Sequence, residues 1–328
     1  MPYIEILGHT LNVIVLILVI IGTIIVASIA AALSPKRKIL AFTGSLLTEL
    51  VIGTLLVLLV APSNPNNEHQ NLPQPQETSI QVYTPNYITI RGFTYSTSLT
   101  ELVIDNVDLS NNDLTKLQYM TNLTCLELRN TLQISDLSPL SGLTKLAMLR
   151  VAGGEIEDIA PLANLVELEV LELSSNQISD LLPLSDLTNL HTLLLGNNKI
   201  SDLTPLARLT NIETLSLGQN KISDLEPLSK LSSLTYLILW YNQISDLTPL
   251  RALTDLEFLF LDNNQISDVT PLADLTKLVE LHLPDNIISN LMPLEGLTCI
   301  EWLDLRNNPV TDWSPVMYVG LVGGRDFQ

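Results

Sequence analysis

The chain has 328 residues, 46% of them hydrophobic, and a formal net charge of −19. Acidic residues outnumber basic ones 35 to 16, which excludes a binder of phosphate backbones, since such a binder needs clustered Lys and Arg. Cys125 and Cys299 match no metal-ligand or disulfide spacing, and His9, His69, His191 and His282 stand apart, so no metal site and no cofactor is expected.

The first sixty residues read as a transmembrane hairpin, residues 1–61, with spans at about 11–33 and 39–61. Each run is long enough to cross a hydrocarbon core of about 30 Å at roughly 1.5 Å per residue. A cleaved signal peptide is the rival reading of the first run. Against it stand the length of the run, the lack of Lys or Arg in "MPYIEILGHT", and the basic turn that follows. That turn, "SPKRK", carries Lys36, Arg37 and Lys38. The positive-inside rule assigns it to the cytoplasm and everything after Ala61 to the far side. The expectation is a two-span protein of the cell membrane with an extracytoplasmic domain. The opposite topology would carry the basic turn across the bilayer.

Glu49 lies near the middle of the second span and shares a helix face with Ser45 and Gly53. Two readings are open for this intramembrane polar contact. One is a protonated carboxyl bonded across the hairpin near Gly22 and Thr23; the other is an assembly contact with another membrane protein. Intramembrane polar groups usually find a local partner, which favours the first. Residues 62–79, rich in Pro, Asn and Gln, form a linker without secondary structure. In residues 80–98, with the "SIQVY" run that straddles the start, the alternation of "SIQVY" and "YITI" predicts edge strands capping the next domain.

From residue 99 to 308 the chain repeats every 22 residues. One column holds Pro139, Pro161, Pro183 and so on to Pro315, and another runs from Asn176 to Asn308. A third holds Asp136 to Asp268, breaks at Asn290 and resumes at Asp312. The unit is L-x-x-L-x-L-x-x-N-x-I-S-D-L-x-P-L-x-x-L-x-x, a leucine-rich repeat. Its "L-x-L" predicts a short strand with both leucines on one side. The Asn is expected to bond backbone groups left open by a turning chain, and the Asp to close a local turn. The Pro suits the first position of a short helical turn. One unit cannot bury its leucines alone; stacked units can, with their strands in parallel. The turn role of each Asp argues against a calcium ladder, whose ligand sets need several converging oxygens. The first two units depart from the pattern, with Leu132 and Gly154 in place of Asn, as end units do. Residues 309–328 are read as the C-terminal cap.

The stretch from about Leu99 to Trp313, with "NQISDLLPLSDLTNL" (Asn176 to Leu190) as its clearest unit, resembles the internalin-type leucine-rich repeats of Gram-positive bacterial surface proteins. "YITIRGFTYSTSLTELVIDN" is similar to the entry segment of such proteins and "NNPVTDWSPV" to their terminal repeat. The resemblance implies a curved α/β-type solenoid with short parallel strands on its concave face and short 3-10 or helical turns on its convex face. It implies partner proteins bound on the concave sheet and names no receptor. The closing "GGRDFQ" carries no LPxTG-like sorting signal, so the N-terminal hairpin is the expected anchor.

The outward strand positions are the x residues around each leucine pair. They run from Met148, Arg150 and Ala152 through Val170, Glu172 and Ser174 to Thr192, Leu194 and Gly196, and then to Thr214, Ser216 and Gly218. Their character changes at Tyr236, Ile238 and Trp240, followed by Phe258, Phe260 and Asp262. Glu280, His282 and Pro284 follow, then Trp302, Asp304 and Arg306. Adjacent strands lie about 4.8 Å apart. Tyr236, Ile238, Trp240, Phe258, Phe260 and Trp302 are therefore expected to form an apolar patch rimmed by Asp262, Glu280, His282, Asp304 and Arg306. Such patches mark recognition surfaces; cross-strand packing that merely steadies the sheet is the alternative. A His282–Asp304 pair lacks a flanking nucleophile, so no catalysis is expected. Cys125 is expected exposed on the face and Cys299 half-buried. The function read from the sequence is a non-catalytic, membrane-anchored binder of a protein or cell-wall partner. The alternative is a cytoplasm-facing scaffold resembling the leucine-rich repeat regulators of protein phosphatases.

Overall fold

A computed structural model of the chain describes residues 84–324, except 106, 108 and 130–132. The predicted spans, Glu49, the linker and "SIQVY" lie outside the described residues. Among the described residues no helix is long and apolar enough to cross a membrane.

The described residues open on an antiparallel hairpin, β1 (Tyr87–Ile90) and β2 (Phe93–Ser96). Its turn uses Arg91 and Gly92 at φ 48° and 87°, the left-handed pair that suits a two-residue hairpin loop. Ile88 and Ile90 are buried on the first leucines. The "YITI" segment, expected as an edge strand, pairs with the following segment "FTYS". Arg91 Nε donates to Asp113 Oδ2 at 2.9 Å, and the same carboxylate accepts the Ser110 N–H at 3.1 Å. Burial pushes the Asp113 carboxyl up, but the Ser110 hydrogen bonds and the charges of Arg91 and Lys116 bring it below the usual range.

An 11-stranded sheet follows in strict chain order, from β3 (Glu101–Asp105) to β13 (Leu321–Gly323), and every pairing in it is parallel. β4 is Cys125–Arg129 and β5 is Met148–Val151; β6 to β8 are Val170–Glu172, Thr192–Leu194 and Thr214–Ser216. β9 is Tyr236–Ile238, β10 Phe258–Phe260, β11 Glu280–His282 and β12 Trp302–Asp304. The register offsets follow the repeat, so Leu215, Leu237, Leu259, Leu281 and Leu303 stand side by side, all with no exposed surface. A 3-10 turn crosses behind each of β4 to β12, and its leucine, or Val316 in the last, is buried too. The core lies between the two layers. Fully burying one such leucine contributes roughly 1.5–3 kcal/mol, and only neighbouring units supply the cover.

The Asn column is a ladder of buried (Asn176, Asn198, Asn286) and half-buried side chains. Asn198 Nδ2 donates to the carbonyls of Leu173 and Leu195, both at 3.0 Å, while its Oδ1 accepts the Ile178 N–H at 3.0 Å. Two of those three partners belong to the preceding unit, so each Asn rivets two units together. In the Asp column, Asp202 Oδ1 accepts the Thr204 N–H at 2.8 Å, and Asn290 takes the same role toward Met292 at 3.0 Å. Hydrogen bonds from Thr204, Thr248, Thr270 and Ser314 hold Asp202, Asp246, Asp268 and Asp312 below the usual carboxylate range. The Pro occupies the second residue of each 3-10 turn, as in Thr204–Leu206, one place later than expected. That position still wastes no donor, because the first N–H groups of a helical turn have no internal partner.

At the ends the pattern is replaced rather than lost. Asn111 Oδ1 accepts the N–H groups of Ser135 and Asp136 at 3.0 and 3.2 Å, and its Nδ2 donates to Ser135 Oγ at 2.9 Å, which ties the first unit to the next by a different set of bonds. Gly154 fills an Asn position because a Cβ there would lie 2.5 Å from the Ile134 carbonyl oxygen. Tyr318 Oη donates to the Leu294 and Leu297 carbonyls at 2.6 and 3.0 Å and ties the last turn to the unit before it.

Candidate protein-recognition face

The leucines of each strand turn inward, so the alternate residues must face out. On β9 to β12 these residues are mostly aromatic, and parallel in-register pairing aligns them. Tyr236 stands 5.3 Å from Phe258 and 5.4 Å from Phe260, ring centre to ring centre. Phe260 stands 4.6 Å from His282, and His282 stands 5.0 Å from Trp302. All four pairs are tilted, at spacings where aromatic contacts are favourable. Tyr236, Ile238, Phe258 and Phe260 are half-buried by their neighbours, whereas Trp302 is 44% exposed. Burial, then the Glu280 charge, push the Tyr236 phenol above its ordinary range.

Two expected rim residues are placed differently. His282 is not at the rim: its side chain is 15% exposed and its ring bridges Phe260 and Trp302. Its Nε2 is buried without a hydrogen-bond partner among the described residues, 3.7 Å from Glu280 Oε2. An imidazole has the flat shape that continues a stack of rings. Asp304 is not at the rim either, with only 2% of its surface exposed. It is bound by Arg306, whose Nε lies 3.0 Å from both carboxylate oxygens and whose Nη2 also reaches Oδ2. Burial pushes the Asp304 carboxyl up, but the Arg306 hydrogen bonds and charge win and hold it below the usual range. Glu280 and Asp262 remain half-buried beside the rings, and Arg306 is exposed.

Trp240 turns away from the ring ladder. A Cβ on Gly218 would lie 2.5 Å from the indole Nε1, so the indole rests on the bare backbone of the preceding unit. Its ring neighbour is Tyr241, 5.6 Å away at 75°. Tyr241 was not expected at the site. It is 53% exposed and sits at φ 51° in a column of left-handed residues otherwise filled by Ser, Asn, Gln and Asp from Ser175 to Asn307. A bulky residue pays a steric cost in that region, so its presence there was the legible signal. Between this pair and the next three units opens a cavity of about 410 Å³, lined among others by Trp240, Tyr241, Phe260, Asp262, Asp285 and Arg306. Burial raises the Asp262 carboxyl above the usual range.

The cysteines behave unlike their expectations. Cys125 is half-buried, its Sγ donates to Met148 Sδ at 3.7 Å, and burial followed by the Glu127 charge raises its thiol, which makes it a poorer nucleophile. Cys299 is exposed, not semi-buried, because it precedes the strand segment on the outer turn. Among the described residues no group of His, Cys, Asp or Glu is placed to hold a metal ion.

The family described as "Leucine Rich repeats (2 copies)" matches residues 166–208, 188–230, 210–252 and 232–274. The chain is a leucine-rich repeat protein. Among solved structures this leucine-rich repeat protein is similar to an internalin C2 from Listeria monocytogenes str. 4b F2365. The two are 38% identical over 56% of this chain and 82% of that one, with a TM-score of 0.53. An internalin, InlF, from the same organism is 29% identical over 72% of this chain and 91% of that one, with a TM-score of 0.51. A plant peptide hormone receptor, RGFR1, in complex with RGF2, shares the fold at 24% identity and a TM-score of 0.56, over 63% of this chain and 36% of that one. None of the curated proteins matches the chain. Leucine-rich repeat proteins are typically non-enzymatic binding scaffolds that mediate protein–protein interaction.

Proposed function

We propose that this leucine-rich repeat protein is a non-catalytic receptor that captures a protein partner on the aromatic face of β9 to β12. The observation that carries the reading is the continuous run of rings Tyr236–Phe258–Phe260–His282–Trp302, with Trp240 and Tyr241 beside it. Aromatic side chains concentrated in one region of a face that elsewhere has no ring are what interface centres use. Trp240→Ala and Phe258→Ala are each expected to weaken partner binding by about 2 kcal/mol or more, with circular dichroism and melting nearly unchanged. Capture of the partner from the cell surface, followed by titration calorimetry on both variants, tests this; normal binding by both sinks the reading.

The proposal includes an anchor and a side. The apolar runs 11–33 and 39–61 would hold the protein in the cell membrane, and Lys36, Arg37 and Lys38 would keep their turn in the cytoplasm. The repeat domain then faces outward. Protease added to intact cells stripped of any wall should digest the repeats, and protection of the repeats would place them inside instead.

A further inference from the structure

The ring ladder accounts for apolar contact but leaves the cavity beside it unexplained. Its walls combine two features that seldom meet by accident. Trp240 and Tyr241 stand nearly perpendicular, at 75°, and Phe260 lines the same space. Asp262 and Asp285 line it too. Arg306 also borders the cavity, but its guanidinium is occupied by the buried Asp304. Counting those two as a neutral pair, the walls keep two negative charges. Asp285 accepts one hydrogen bond, from Asn307 Nδ2 at 2.8 Å. Asp262 is short of water, since burial is the main influence on its carboxyl, which a hydrogen bond from its own backbone only partly offsets. A desolvated carboxylate gains more than a hydrated one when a cation arrives. Angled aromatic walls attract the same cation through their ring faces.

We infer that this cavity receives one basic side chain of the partner protein, its aliphatic stem against Trp240 and Phe260 and its charge between Asp262 and Asp285. The inference rests on the proposed capture of a protein by the aromatic face and names what that protein must present: an arginine or lysine at the edge of an apolar patch. Guanidinium suits the site best, being planar, weakly hydrated and able to stack on aromatic rings while bonding carboxylates. The volume, about 410 Å³, admits one such side chain with room to spare. The Asp262 backbone carbonyl accepts from Tyr241 and from the ladder residue Asn264, so the ladder is served by the backbone and the carboxylate is free of that duty.

The test uses the full chain, labelled with ¹⁵N at its tryptophans, and two capped tripeptides as probes. One is acetyl-Gly-Arg-Gly-amide. The other replaces arginine with citrulline, which has the same shape and no charge. The Trp240 indole N–H signal, assigned with Trp240→Phe, should shift and saturate with the arginine probe. The citrulline probe should bind at least about tenfold more weakly, the cation–π and charge contributions being absent. Asp262→Asn and Asp285→Asn should each weaken the arginine probe several-fold, while the Trp302 and Trp313 signals stay in place and report an intact fold. Equal binding of the two probes, no shift with either, or full binding by both Asn variants overturns the inference. The titration involves no partner, so it fails or succeeds independently of capture. A saturating, charge-dependent titration with normal partner binding by Phe258→Ala would remove the ring ladder as the capture site and keep the cation site. A failed titration with weakened partner binding would do the reverse.

Discussion

From β4 to β8 the outward positions of the sheet mix ion pairs, small polar residues and the aliphatic Met148, Val170 and Leu194, with no ring among them, whereas each strand from β9 to β12 carries at least one ring. In the first region Arg150 lies between Glu127 and Glu172, at 3.7 and 3.6 Å, and the later strands offer Thr192, Thr214 and Ser216. In the second, rings touch from Tyr236 to Trp302. Beneath both runs the same leucine core, with Asn rivets from Asn176 onward. The difference teaches that the repeat separates two tasks. Inward positions fix the fold in the same way in every inner unit, and outward positions vary because a solvent-facing residue on a preformed sheet costs the fold little.

The sharpest way to break that separation is to change one inward residue. Leu259→Ala is expected to cost about 2–5 kcal/mol, since it empties a site with no exposed surface. Its outward neighbour, Phe260→Ala, should cost clearly less. Chemical denaturation of both checks this, and equal losses would mean that the rings serve the fold rather than a partner. Next in size is the ladder. Asn220→Ala strands the Ile200 N–H and leaves the Leu195 and Leu217 carbonyls with one ladder partner each, Asn198 and Asn242, an expected loss of about 1–3 kcal/mol. Hydrogen exchange should quicken in the units on both sides of it.

Gly218→Ala tests the border between the two regions. The added methyl displaces the Trp240 indole from its seat. Partner binding should fall as in Trp240→Ala and indole fluorescence should shift, while melting changes little. On the polar side, Arg150→Met should change stability by no more than about 1 kcal/mol, because partly exposed ion pairs contribute little. Partner binding should be untouched.

The smallest expected effect is on pH dependence. The Asp262 carboxyl is raised by burial, so in the window above the ordinary carboxylate range the folded state holds a proton that the unfolded chain has released. Stability therefore falls as pH rises through that window. Asp304 has the opposite sign: its lowered carboxyl contributes stability present above the ordinary range and lost as pH falls through the folded value. Asp262→Asn should flatten the first slope in a series of melts from acid to neutral pH and leave the second.

How much of this was legible in the sequence differs by residue. Leu215, Asn220, Asp224 and Pro227 announce their places, because a period of 22 leaves one geometry in which all copies satisfy themselves at once. The order of the strands and their parallel register follow from that period. So does the alignment of Tyr236, Phe258 and Phe260, since equal spacing puts equal positions side by side. What the period does not carry is the direction in which each outward side chain leans. Trp240 lies back over Gly218 because only there does the preceding backbone leave room. His282 joins the rings and Asp304 sinks beside Arg306 because the rotamers of neighbouring units must fit together. Tyr241 lines the cavity through a left-handed backbone that the turn imposes on its column. The repeat is a local rule copied along the chain, so the sequence alone determined the frame; the face depends on contacts between side chains 20 or more residues apart, such as Phe260 and His282, and those the tertiary structure decided.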